Sequence, residues 1–348
     1  MLIRVTIPVC TARVRIAIAG TANRRCGHVA FGALSPDNAR PFADVPIAMW
    51  FKNLRAFRMT YNTGLDADKL EQVLSENAFT PCGKVDLSRA GWVPPLGPKG
   101  EMLTHTVAQN TMVCLRKQEK VLPPAAINEQ VGERVAALEQ TEGRPAMRRE
   151  KTAMKDEIMM DLLPRALTKS EHIFAYFDFS RQFLLIDTPS AAKAELVIDY
   201  LRAAVGALPV VPLSCHGDAA DIMTRWLKSR VPDGFELEQE IELQNMREAR
   251  NVVRCRYQDI DSREVLAHLD AGKRVTLLAM AWREAIRFML AEDFSIKRLK
   301  FEAKVTDHGD GEADDVAGVF DQDFAVMAVQ LGKLLDELLD AFGGVEKI

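Results

Sequence analysis

Strand-like runs in this chain follow one another across very short connections, and that spacing constrains the fold more than any other feature. Runs at 103–108 and 111–116 flank only Gln109 and Asn110, and runs at 172–179 and 182–188 flank only Ser180 and Arg181. Two residues are enough for a hairpin, whereas a parallel crossover needs a dozen or more. Largely antiparallel sheets with packed helices are therefore expected, an α+β class. Apolar spacing predicts helices over 66–78, 125–140, 147–163, 190–205, 219–228, 262–269 and 321–342. Strands are predicted over 50–61, 208–213, 235–243 and 252–258, with three more between 274 and 302. Residues 82–98, rich in Gly and Pro, read as a loop pinned by Trp92 and Val93.

The last helix carries Phe324, Met327, Leu331, Leu334, Leu335 and Leu338 on one face, which suits a core or a dimer interface. Asp321 and Asp323 are expected to cap it. With 348 residues the chain is long enough for two or three compact units. The expected division is an extension at 1–48, an α+β unit at 49–124, a helical and hairpin unit at 125–215, and an α+β unit at 216–348.

The net charge of −4 does not by itself announce a nucleic-acid partner. Its distribution is uneven. From Glu302 onward twelve acids face three lysines, a local balance of −9 that masks basic patches elsewhere. Residues 1–48 hold six arginines and two acids, a balance of +4. Two readings of that segment stand side by side: an upstream translation artefact, or a basic arm that binds DNA.

Several function classes are disfavoured. The six cysteines include no CxxC pair, as expected of free thiols in a reducing cytoplasm, and Cys215 with His216 has no spaced partners for zinc. No apolar run is long enough to span a bilayer, so a soluble chain is expected. Both Gly-Lys pairs lack the glycine a phosphate loop needs five positions earlier, where Ala267 and Met327 stand. The acids of 307–315 could recruit Mg²⁺ as a nuclease does, but their Gly-rich spacing reads better as a solvated loop. His105 and His268 fall in predicted elements and read as structural. No catalytic residue and no cofactor is assigned.

Basic residues do fall into groups. On the predicted helix at 147–163, Arg148, Lys151 and Lys155 share one side while Met154, Ile158 and Leu162 take another, with Arg144 before the helix and Arg165 and Lys169 after it. Glu150, Asp156, Glu157 and Asp161 dilute that group. In the strand at 252–258 a period of two puts Arg254, Arg256 and Gln258 in one row, followed by Lys273 and Arg274. Arg298 and Lys300 share a face opposite Leu299 and Phe301, and Arg116, Lys117 and Lys120 end a hairpin. No zinc finger or RNA-recognition signature accompanies them, so phosphate contact without base readout is the mode they suit.

Five phrases carry a resemblance: WFKNL at 50–54, FTPCG at 79–83, GWVPP at 91–95, LPVVPL at 208–213 and SIKRLKF at 295–301. With LLPRA at 162–166 and AGKxVTxLAxxW at 271–282, the chain from Met49 to about Gly344 resembles the RdgC family of bacterial recombination-associated proteins. The resemblance implies a horseshoe-like monomer and a homodimer closed into a ring with a basic hole. It also implies binding of double-stranded DNA without sequence preference, with single-stranded DNA as a second form, and modulation of RecA in recombination and replication. Lys273 and Gln258 stand where the family faces DNA, and Arg165 stands beside its projecting tip. The chain departs where the family carries lysine, at Tyr257, and where it carries an aromatic, at Leu167. A cytoplasmic, nucleoid-associated protein without a membrane partner is expected. The competing classes are a Mg²⁺-dependent nuclease and a structural dimer that binds an acidic protein.

Overall fold

The computed structural model describes residues 50–61, 64–248, 250–306 and 316–344, all within one compact unit spanning Asp44–Ile348. The 1–48 extension and the acidic 307–315 segment lie outside the described residues.

Two antiparallel sheets follow one another along the chain. The first is built from β1 (Arg55–Met59), β2 (Ser88–Val93), β3 (Thr104–Val107), β4 (Asn110–Lys120), β5 (Thr168–Asp178), β6 (Phe183–Ile186) and β7 (Val210–Pro212). Its order is β2-β4-β5-β6-β1-β7, with β3 also on β4. Into it are inserted α1 (Ala67–Ser75), α2 (Pro124–Glu142), α3 (Arg148–Leu162) and α4 (Ala191–Val205). The second sheet has the order β12-β11-β10-β8-β9, from β8 (Phe235–Asn245), β9 (Val252–Arg256), β10 (Lys273–Trp282), β11 (Ile286–Ala291) and β12 (Ile296–Phe301). Helices α5 (Ala219–Lys228), α6 (Arg263–Asp270), α7 (Ala303–Thr306) and α8 (Val316–Ala341) accompany it. Every strand pair is antiparallel, as the two-residue connections require.

Alternation divides the first sheet between two cores. Phe57, Val113, Ile173, Phe177 and Leu184 point to α1 and α4, which contribute Leu70, Leu74, Val197 and Leu201. Ala56, Met112, Tyr176 and Leu185 point the other way, into a cluster shared with α8 and with Ile241, Leu278, Met280 and Leu290 of the second sheet. The apolar face of α8 is thus core: Phe324, Met327, Leu331, Leu334 and Leu338 are fully buried. Burying side chains of that size contributes about 1.5–3 kcal/mol each, so α8 is the principal filler between the sheets. Polar pins add direction, with Trp282 Nε1 donating to Glu337 at 2.8 Å and Arg181 Nη2 pairing with Asp336 at 2.9 Å.

Two expectations need correction. α8 begins at Val316, so Asp321 and Asp323 lie inside the helix and do not cap it. Residues 82–98 are not all loop, because β2 pairs with β4 from Ser88↔Glu119 to Val93↔Cys114. Gly91 makes this strand possible: a Cβ there would stand 2.5 Å from the Phe79 Cα. The chain crosses at that point, with Trp92 N donating to Asn77 O and Phe79 N to Trp92 O. A glycine that reads as a loop signal in sequence is here a close backbone approach. Among the described residues no helix is long and apolar enough to cross a membrane, and Cys82, Cys114, Cys215 and Cys255 are free thiols.

Candidate nucleic-acid interface

Helices α2 and α3 form an antiparallel hairpin between β4 and β5, ended at the turn by Gly143 in a left-handed conformation. Each buries little, chiefly Ile127 and Ile158, so the pair is an arm rather than core. Several of its acids are paired within the arm. Arg134 of α2 reaches Glu157 at 3.2 Å and Asp161 at 3.3 Å. Arg144 grips Glu150 in a fork, at 2.6 and 3.1 Å, and also pairs with Glu142. The Arg144 guanidinium and the Met147 N–H hold the Glu150 carboxyl at about 2, well below the usual range.

Arg144 is therefore engaged within the arm, where it joins the end of α2 to the start of α3. Arg148, Lys151 and Lys155 are exposed and make no ion pair among the described residues. Arg149, which the sequence reading passed over, shares that condition. Of the four acids expected to dilute this group, three are turned to Arg134 and Arg144, and Asp156 alone stays unpaired.

Where α3 rejoins the first sheet, Pro164 sits in a 3-10 turn and Arg165 and Lys169 are exposed without ion pairs among the described residues. Leu167 between them is 80% exposed, its carbonyl fixed by the Val121 N–H at 2.8 Å. The neighbouring hairpin residues are less available. Arg116 lies over the Phe79 ring at 4.4 Å and donates to Ser170 Oγ at 3.0 Å, and Lys117 pairs with Glu119 at 3.1 Å.

The second sheet changes the reading most. β9 does carry Arg254 and Arg256 outward, but register sets each against a glutamate of β8: Arg254 opposite Glu242 and Arg256 opposite Glu240. Arg254 Nε is 2.6 Å from Glu242 Oε2, and Arg256 Nε is 2.9 Å from Glu240 Oε1. Arg298, in a left-handed bulge on β12, reaches across β11 and β10 to the other oxygen of Glu240, at 2.8 Å. The signal was present in the alternate glutamates 236, 238, 240 and 242 of the β8 run.

Gln258 is not in the arginine row. Tyr257 takes φ +56°, which ends the pleat at Arg256, and Gln258 Nε2 donates instead to Glu264 at 2.8 Å. Lys273, expected to face a ligand, is only 7% exposed, and its ammonium is held by the Asn251 side chain and carbonyl. Arg274 is likewise engaged, by Asp218 and Asp221. Lys300 is exposed without an ion pair among the described residues. The described residues contain no group of three His, Cys, Asp or Glu placed to hold a metal ion.

Comparison with known proteins gives a consistent result. The family described as "Putative exonuclease, RdgC" matches residues 49–345. The chain is 41% identical over 302 residues to "Recombination-associated protein RdgC" of Psychromonas ingrahamii, covering 86% of this chain and all of the relative. It is 38% identical over 298 residues to the protein of that name from Sodalis glossinidius and 39% identical to that from Yersinia pestis, each covering 85% of this chain and 98% of the relative.

Proposed function

The chain belongs to the RdgC family of recombination-associated proteins, and on that premise we propose that it binds double-stranded DNA through phosphate contacts, without sequence preference and without catalysis. The observation that carries this reading is the arm: Arg148, Arg149, Lys151 and Lys155 stand outward on α3 while three of its four carboxylates are drawn to Arg134 and Arg144. Arg165, Lys169 and Lys300 extend the set of cations free to meet phosphate. Each neutralised phosphate releases condensed counterions, so binding of this kind is reversible and strongly salt-dependent.

In this reading two copies close around the duplex as a ring and limit access of RecA to DNA, so the protein modulates recombination and replication at the nucleoid. Two-fold closure is the common route for a homodimer. Fluorescence anisotropy of a random-sequence duplex with the full chain, titrated from low to moderate salt, tests the binding. Affinity falling log-linearly with salt and indifferent to sequence supports it, and absence of binding at low salt overturns it. The nuclease reading is checked separately by incubating supercoiled plasmid with protein and Mg²⁺. Loss of intact plasmid would replace the non-catalytic reading.

A further inference from the structure

A strand at the rim of a sheet leaves every second N–H and C=O without a neighbour, and proteins cover or block such rims. Most rims of this molecule are managed in that way. Residues 52–54 lie along β12, where Leu54 and Ile296 exchange both hydrogen bonds and Leu299 N donates to Lys52 O. Asn77 and Phe79 pair with Trp92 of β2, and the Glu71 carboxylate takes the Leu103 and Thr104 N–H groups at β3. Pro209 precedes β7 and Pro212 ends it. β9 has no such device: its five residues, Val252–Arg256, include no proline and no lysine.

Register says which groups are open. Asn245 N donates to Asn251 O and Tyr257 N to Gln239 O, so Val253 and Cys255 bond β8 and the backbone of Arg254 and Arg256 points the other way. β8 is the one strand beside β9 among the described residues, so no strand receives those outward N–H and C=O groups. The two arginine side chains are 67% and 55% exposed, whereas Glu242 and Glu240, which hold their Nε atoms from β8, are 22% and 26% exposed. A strand approaching from outside therefore meets cations, with the acids one strand behind them. Tyr257 at one end of this rim and Met246 and Val252 at the other are exposed apolar side chains.

We propose that the outer rim of β9 receives an extended segment of another protein by strand addition, with carboxylates at alternate positions facing Arg254 and Arg256. Main-chain hydrogen bonds to those two residues hold the segment, and the alternate acids set its register. Tyr257, left-handed at φ +56°, ends the seat. A second copy of this chain is a poor occupant. Paired antiparallel along the whole of β9 it would set Arg254 against its own counterpart, and like charges directly opposite are destabilising. The site does not depend on the duplex reading, because it uses the backbone of β9 and none of the cations of the arm.

A labelled peptide of alternating glutamate and valine is the probe, with its lysine and valine counterpart as control, each titrated with the full chain by anisotropy. The glutamate peptide is expected to bind and to slow amide hydrogen exchange at Arg254 and Arg256, and the lysine peptide to do neither. Arg254→Pro removes an outward N–H that the β8–β9 ladder does not use, a change edge strands accept, and is expected to weaken the glutamate peptide about tenfold. Arg254→Gln keeps the backbone and removes the charge, with an expected loss of about fivefold. No binding by wild type, equal binding of the two peptides, or binding without protection of those two amides overturns the proposal. So does a change in the mass of the native assembly in Arg254→Pro, read by light scattering, because the rim would then join copies of this chain.

Discussion

His105 Nε2 stands 2.6 Å from Asp321 Oδ1, tying β3 of the first sheet to the helix that fills the space beside it. The Phe320 ring meets the imidazole edge-on at 4.7 Å, and the Phe324 ring is 6.2 Å from it. Burial among these rings outweighs the carboxylate, so the imidazole titrates below its ordinary value of 6.5. His172 is lowered too, by burial and then by Arg116.

Both shifts make stability depend on pH in a stated direction. Below 6.5 the unfolded chain takes up protons that the folded imidazoles refuse, so stability is whole above that pH and declines as pH falls toward the lowered folded values. Thermal melts are expected to show a lower midpoint near pH 5.5 than near pH 7.5, and His105→Gln is expected to shrink that difference. An unchanged pH slope in the variant would remove His105 from the account.

On the arm, the double substitution Lys151→Glu and Lys155→Glu is expected to weaken duplex binding at low salt by at least about tenfold. The slope of log affinity against log salt should fall by roughly 0.9 for each lost phosphate contact. Because both side chains are exposed and unpaired among the described residues, the melting temperature is expected to stay put. Parallel salt titrations and melts check both statements.

Arg144→Ala separates clamp from contact. It is expected to loosen the turn between α2 and α3, seen as faster amide hydrogen exchange at Met147 and Glu150, while duplex affinity at fixed salt changes little. A tenfold loss of affinity without added exchange would restore Arg144 to the binding surface.

Gly91→Ala places a methyl group against the Phe79 backbone, and neither strand nor bridge can yield without breaking hydrogen bonds. A loss of about 2–3 kcal/mol is expected, measured by urea denaturation. Tyr257→Gly should act oppositely, since glycine relieves the left-handed strain: a gain of roughly 1 kcal/mol is expected from the same measurement.

Most of the fold was legible because periodicity and punctuation agreed. Helix α5 and the hairpins around Gln109 and Ser180 stand where spacing and short connections put them. β2 was hidden because Gly91 and the prolines around it are turn signals locally, whereas their cause lies in a contact with Phe79, twelve residues back. The candidate interface was legible as a set of cations but not as a set of free ones. Arg254 and Arg298 look alike in sequence to Lys151 and Lys155, and only strand register and a bulge show that the first two already hold glutamates. Gln258 left its row for a similar reason, since a left-handed residue before it undoes a count by twos.

The position of α8 also sets an order of events during synthesis. Both sheets precede it in the chain, and although α5 and α6 cover part of the second sheet with Met223, Trp226, Val265 and Leu269, the rest of the shared apolar core waits for Phe324, Leu331, Leu334 and Leu338 of α8. A nascent chain that has made β12 therefore carries two formed or forming sheets with greasy inner surfaces still wet. It cannot complete their cover until the helix emerges. During that interval the chain is most exposed to chaperones and to other copies of itself. An mRNA message broken anywhere before the codon for Val316 would yield a protein that never leaves that state.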